Sequence, residues 1–285
     1  RKEMQHNAMI LHSLLILILI SVNYVNSTHF QGGSITYKVV NVSGSNVTIV
    51  LTQTYIYDYA SISCTDSMIA NQSPKLSFPS PYSESSKYVD CIQYCNQSGG
   101  YVAPSVVSYC TDYSIAFSIT VGQRSDTLQI KNGSYFRIAF QSSAWRALTL
   151  PADSISSKSW SISCLINLQM RSNGQYNTPP IATIISPINI PVGIQQAIYI
   201  PTIDGDNDQV RCRFSNGTNE CYNTCPPGSL PNGTILLSNC TLLITGRNVN
   251  DWYAVTIQVK GNLKVLASLK LIESKELRNI RGVLD

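Results

Sequence analysis

The sequence predicts an all-β chain organised as two tandem disulfide-stapled β-sandwich domains. The first ground is a strictly alternating run that puts Trp160, Ile162, Cys164, Ile166, Leu168 and Met170 on one face. Ser161, Ser163, Asn167, Gln169 and Arg171 fall between them, and successive strand side chains point to opposite faces. Cys164 is then a small buried hydrophobe with no bonding partner. The second ground is what remains of the 9 cysteines. Cys64, Cys91, Cys95 and Cys110 form one even group, and Cys212, Cys221, Cys225 and Cys240 another. The third is the spacing of short β-branched and aromatic runs between Gly, Pro and Asn turns.

Taken in order, residues 1–27 read as a secretory signal peptide. Arg1, Lys2 and His6 precede the apolar Leu14–Ile20, and Val25-Asn26-Ser27 suits cleavage. The alternative is a retained signal anchor, because Met9–Val25 approaches the ~17 residues that just span a bilayer. His12, Ser13 and Asn23 favour cleavage. The first module, 28–176, opens with Ile35–Val40, turns at Ser43-Gly44-Ser45 and returns through Val47–Tyr57. Pro74–Gly100 reads as a long surface loop pinned by disulfides. Alternation resumes at Tyr113–Val121. Asn132-Gly133 then predicts a hairpin between Leu128–Ile130 and Tyr135–Phe140, since both turn residues tolerate positive φ. The Cys164 strand closes the module.

Asn177-Thr178-Pro179-Pro180 reads as a short stiff linker, 177–180. The second module, 181–262, has runs at Ile181–Ile185, Ile194–Ile200, Val210–Phe214, Ile235–Leu237, Cys240–Ile244 and Trp252–Lys260. That spacing suits an Ig- or cadherin-like sandwich. Residues 263–285 read as a divergent C-terminal tail.

Composition bears on compartment. Only 13% of residues are charged, about half the usual share. Asn-x-Ser/Thr sequons occur at Asn41, Asn46, Asn71, Asn96, Asn132, Asn216, Asn232 and Asn239, with one more at Asn26. Disulfides, sugars and hydroxyl-rich strands together predict an extracellular glycoprotein, secreted or at the cell surface. The net charge of +4 comes without a basic cluster, so no nucleic-acid partner is expected. Membrane contact is expected only through a retained N-terminal segment or a longer anchored protein.

Candidate chemistry is sparse. Asp204, Asp206 and Asp208 offer hard oxygen donors at alternate positions, the pattern calcium needs. Gln209 and Ser215 stand where an EF-hand requires Gly and Glu, which excludes that motif. The other reading is a polar turn whose Asx side chains bond their own backbone. Cys91-x-x-x-Cys95 and Cys221-x-x-x-Cys225 have spacings that zinc tolerates, but an oxidising compartment favours disulfides. Four cysteines allow three pairings. The preferred one joins Cys64 and Cys110 each to one of Cys91/Cys95, and likewise downstream. Beyond the leader the only histidine is His29, at the extreme N-terminus, and a Ser–His–Asp or Cys–His centre would have to use it. Glu84, Asp90, Asp112 and Asp153 read as solvated or capping carboxylates. Trp145, Trp160 and Trp252 could stack on sugars, but Trp160 and Trp252 lie on alternating strands and read as core.

The stretch His29-Phe30-Gln31-Gly32-Gly33-Ser34-Ile35-Thr36-Tyr37 resembles the opening of a little-characterised group of invertebrate extracellular multidomain glycoproteins. GGYVAPSVVSYCTDYS, WSISCLINLQMRSNGQYNTPP, IPTIDGDNDQVRCRF and ECYNTCPPGSL through NDWYAVTIQVK resemble the same group in the same order. The resemblance implies an extended array with further modules, often EGF-like repeats, and sometimes a membrane anchor. The chain departs from it after Lys260. The expected function is a non-enzymatic structural or adhesion module acting through β-sandwich surfaces on extracellular proteins or glycans. The alternative is a carbohydrate-binding, lectin-like module, calcium-dependent through Asp204–Asp208. No cofactor other than that calcium is expected.

Overall fold

The computed structural model describes residues 30–72, 76, 87–143, 145, 148–149, 159–182 and 186–261, with the backbone of 266–275. The expected leader and Asn26 lie outside the described residues. No helix among those residues is long and apolar enough to cross a membrane.

The first unit contains β1 (Phe30–Ser43), β2 (Asn46–Asp58), β3 (Asp90–Gln93), β4 (Tyr109–Ser114), β5 (Ile119–Lys131), β6 (Tyr135–Ser142) and β7 (Trp160–Asn167). Strands β1, β2, β5 and β4 are bonded in that order, as are β3, β6 and β7. Their inward side chains meet in one core that includes Phe30, Tyr55, Phe140, Trp160 and Cys164. One short helix, α1 (Asp66–Asn71), is capped by Thr65, whose hydroxyl accepts the Met68 amide at 3.3 Å.

The β1–β2 turn is the hairpin the sequence predicts, with Ser43 opposite Asn46 and Gly44 at φ 58°. Asn132-Gly133 behaves differently. β5 pairs with β2 and β4, whereas β6 pairs with β3 and β7. The turn therefore carries the chain from one group of strands to the other, the two groups being joined through the later strand at 266–275, and makes no hairpin. Gly133 does take positive φ, at 79°. Its amide donates to Leu168 and that of Asn132 to Ser45, both outside the strands they join. Positive φ fixes a bend but not the partner of the strand that follows. Tyr113–Val121 is likewise not one strand, since β4 ends at Ser114 and β5 starts at Ile119.

The second unit contains β8 (Ile181–Ala182), β9 (Ile188–Pro191), β10 (Gln195–Tyr199), β11 (Thr202–Ile203), β12 (Arg211–Phe214), β13 (Ile235–Leu236), β14 (Thr241–Thr245) and β15 (Trp252–Lys260). β16 (Leu266–Lys275) lies within the segment read as a tail. It runs antiparallel to β15 along Val259–Trp252 and antiparallel to β1 at Gly33–Ile35. A single sheet thus passes from one unit to the other.

β15 serves both cores. Tyr253, Val255, Ile257 and Val259 enter the second core, while Ala254, with Trp252 beside it, belongs to the first. The period of two along one strand is what lets it line two interiors.

The cysteines pair as Cys64–Cys110, Cys91–Cys95, Cys212–Cys240 and Cys221–Cys225, with Cα separations of 5.9, 5.8, 4.9 and 5.1 Å. The expected crosswise pairing within each group is corrected. Tyr94 and Tyr222 adopt φ of 58° and 55°, reversing the chain inside each short loop so that the cysteines close on each other. Cys164 is buried and free.

Candidate functional site

Two polar clusters lie where the units meet, and each is assembled by local backbone geometry. The first is the acidic turn after β11. Asp204 accepts the amides of Asp206 and Asp208 on one carboxylate oxygen, at 2.9 and 3.0 Å. This Asx turn bunches the three side chains, whose nearest oxygens lie within 4.8 Å of one another. The donor type is right for calcium. The cluster, however, already holds a cation. The Arg171 guanidinium bonds Asp206 at 3.2 Å and also engages Asp208 and Asn177. Asp206 additionally accepts the Thr178 amide at 2.6 Å. The second oxygen of Asp204 is buried without a hydrogen-bond partner among the described residues. It faces Gly261, where a Cβ would come within 2.9 Å of it. These contacts tie the end of the first unit, the linker and the second unit together through Arg171.

The second cluster covers the outer face of β6 and β7. The segment Thr218–Asn223, which runs into the loop closed by Cys221–Cys225, lies on that face. Ser161 donates to the Asn219 carbonyl at 3.0 Å, Gln141 to that of Thr218 at 3.3 Å, and the Asn223 amide to Ser159 at 3.1 Å. Ser161 and Ser163, which alternate with the apolar set, are completely buried as well. Met170, expected in the apolar set, is 53% exposed because β7 has ended at Asn167.

Glu220 anchors this contact. Arg213 grips it with both nitrogens at 2.7 Å. Arg137, in the middle of β6, approaches it at 3.6 Å and also donates to Gln93 at 3.2 Å and Ser163 at 3.1 Å. Burial raises the Glu220 pKa, but the Arg213 hydrogen bond, the Asn216 amide and the two guanidinium charges outweigh it. The carboxyl is held below its usual range. Arg137, Arg213 and Glu220, with Lys260, Gln93 and Tyr94, line a pocket of about 340 Å3.

Sequence reasoning missed this second cluster. Its signal was Arg137 inside Phe136-Arg137-Ile138-Ala139-Phe140, since an arginine in a strand buried on both faces requires a buried anion. Sequence alone places Arg171 only among the residues that alternate with the apolar set.

The eight sequon asparagines, Asn41, Asn46, Asn71, Asn96, Asn132, Asn216, Asn232 and Asn239, are all exposed. Trp145 and Trp160 are fully buried and offer no face to a sugar, and Trp252 is half-buried against the first core.

No protein-family model matches the chain, and no curated protein matches it. Solved structures with some likeness include the tandem Ig repeats of Dlar, at 11% identity and a TM-score of 0.26, covering 86% of this chain and 99% of that one. The titin domains z1z2 in complex with telethonin match at 11% identity and 0.24, covering 87% and 98%. A chimeric titin Z1Z2 carrying a KLER exogenous peptide from decorin matches at 10% and 0.23, covering 86% and 98%. Scores this low assign no relationship. The fold class stands on the strands and cores described above.

Proposed function

We propose that this chain is a non-enzymatic structural or adhesion module of an extracellular glycoprotein, secreted or at the cell surface. Its two sandwiches form a rigid body that spaces and presents binding surfaces to extracellular proteins or glycans. The observation that carries this reading is the joint between the units. A flexible pair needs only a linker, whereas here β15 lines both cores and two arginine–carboxylate clusters bridge the units. The four disulfides and the exposure of all eight sequons support the extracellular placement. The best-placed carboxylates, Glu220, Asp206 and Asp208, are bound by guanidinium groups, which suits a joint better than a reacting centre. A calcium-dependent lectin centred on Asp204–Asp208 is disfavoured for the same reason: Arg171 supplies the cation.

The test is expression through a eukaryotic secretory pathway, followed by non-reducing peptide mapping with and without enzymatic deglycosylation. The reading expects secreted, glycosylated protein with the four pairs above and Cys164 as a free thiol. A cell-surface interaction screen with that material should return a protein or glycan partner. Retention in the cytosol with reduced thiols and no sugar would overturn the placement, and a blank screen would overturn the adhesive role.

A further inference from the structure

We propose that the pocket between Arg137 and Lys260 binds an anionic sugar unit, one bearing a sulfate or a carboxylate. The Cys91–Cys95 loop of the first unit contributes Gln93 and Tyr94 to it, and Asn216, Asn219 and Glu220, just before the Cys221–Cys225 bridge, come from the second. Its charge is unbalanced: Arg137, Arg213 and Lys260 face Glu220 alone. Glu220 is taken by the Arg213 fork, and Arg137 is spread over Gln93, Ser163 and Glu220. Lys260 forms no ion pair among the described residues, so its charge is available to a ligand. Strand register strengthens the field. Arg211 lies opposite Lys260 and Arg213 opposite Gln258, so the basic side chains of β12 and β15 project from the face turned away from the second core. For a chain with 13% charged residues this is a marked concentration of one sign.

The volume, about 340 Å3, lies at the lower end of the roughly 300–1,000 Å3 typical of ligand pockets. Its lining excludes an apolar ligand. Tyr94, 46% exposed and held in a left-handed turn, stands at the rim with its ring centroid 5.6 Å from that of Tyr135. An exposed aromatic beside amide side chains and fixed cations suits a sugar ring that carries hydroxyls and one acidic group. The choice of a sugar over other anions rests on the extracellular placement proposed above; the binding measurement itself does not depend on it.

The experiment is calorimetric titration of the intact secreted protein with a heparin-derived tetrasaccharide, a tetragalacturonate and neutral maltotetraose. Titrations are run before and after enzymatic removal of N-glycans, because the Asn216 sequon lines the pocket. Lys260→Gln and Tyr94→Asn are the variants, the second because asparagine tolerates the left-handed turn. We expect an anionic probe to bind, more weakly as salt rises, with maltotetraose silent. Each variant should weaken binding roughly fivefold at an unchanged Tm. The probe that binds distinguishes sulfate from carboxylate. The proposal falls if neither anionic probe binds either glycoform, if maltotetraose binds equally well, or if both variants bind like the parent.

Discussion

Trp160 lies flat on Phe30, with ring centroids 3.8 Å apart and planes 9° from parallel, and Phe140 meets it edge-on at 4.7 Å. Gly33, three residues after Phe30, lets β1 lie close against β2: a Cβ there would sit 2.6 Å from the Thr54 carbonyl and 2.8 Å from the Tyr55 ring. Trp160→Ala should therefore cost about 3–5 kcal/mol of stability by urea titration, and Gly33→Ala should also destabilise the chain, because backbone has to move. Cys164 belongs to the same core. Burial pushes its thiol up to about 12, with Arg137 opposing weakly. Native protein should resist maleimide at pH 8 and take up one equivalent once denatured, as mass spectrometry would report; rapid native labelling would contradict the burial. These positions were legible because alternation alone places Trp160, Ile162 and Cys164 together. The burial of Ser161 and Ser163 was not, since their partners, Asn219 and Arg137, lie 58 and 26 residues away in the sequence, and strand periodicity carries no information about a distant partner.

Among the elements, loops closed by disulfides differ in what they do. Cys64–Cys110 and Cys212–Cys240 span 46 and 28 residues and restrict the unfolded chain, each by about 3–4 kcal/mol. The two four-residue closures instead shape the Gln93–Tyr94 and Glu220 corners. No even-numbered cysteine count could have separated these roles; the left-handed Tyr94 and Tyr222 decide them. The Asn132-Gly133 turn teaches a similar lesson, for a bend can be read locally but a sheet partner cannot. At the acidic turn, Arg171 makes calcium unnecessary. Adding calcium or EDTA should leave Tm unchanged, and Arg171→Ala should lower stability by about 3–5 kcal/mol by stranding the carboxylates. A calcium-dependent rise in Tm would contradict that assignment. Glu220 predicts a pH dependence with a definite sign. Its folded pKa is lowered, so its contribution is complete above the unfolded value of about 4.3 and is lost as pH falls through the folded value. Glu220→Gln should flatten this acid limb of a Tm–pH profile.

At the level of the whole molecule, two cores share one strand. The sequence displays two cysteine groups, a proline-bounded link and two sets of strands, all of which suggest beads on a short string. What it conceals is the docking of Thr218–Asn223 on β6–β7 and the passage of one sheet through β16, β15 and β12. Both are long-range pairings whose signal is distributed over single arginines, serines and glycines. The units should then unfold together, and the joint rather than either core should set the stiffness of the pair. Differential scanning calorimetry of the intact, oxidised glycoprotein tests this most directly. One transition, with calorimetric and van't Hoff enthalpies equal, is the predicted result. Two resolved transitions in the unmodified protein, insensitive to Glu220→Gln and Arg171→Ala, would contradict it.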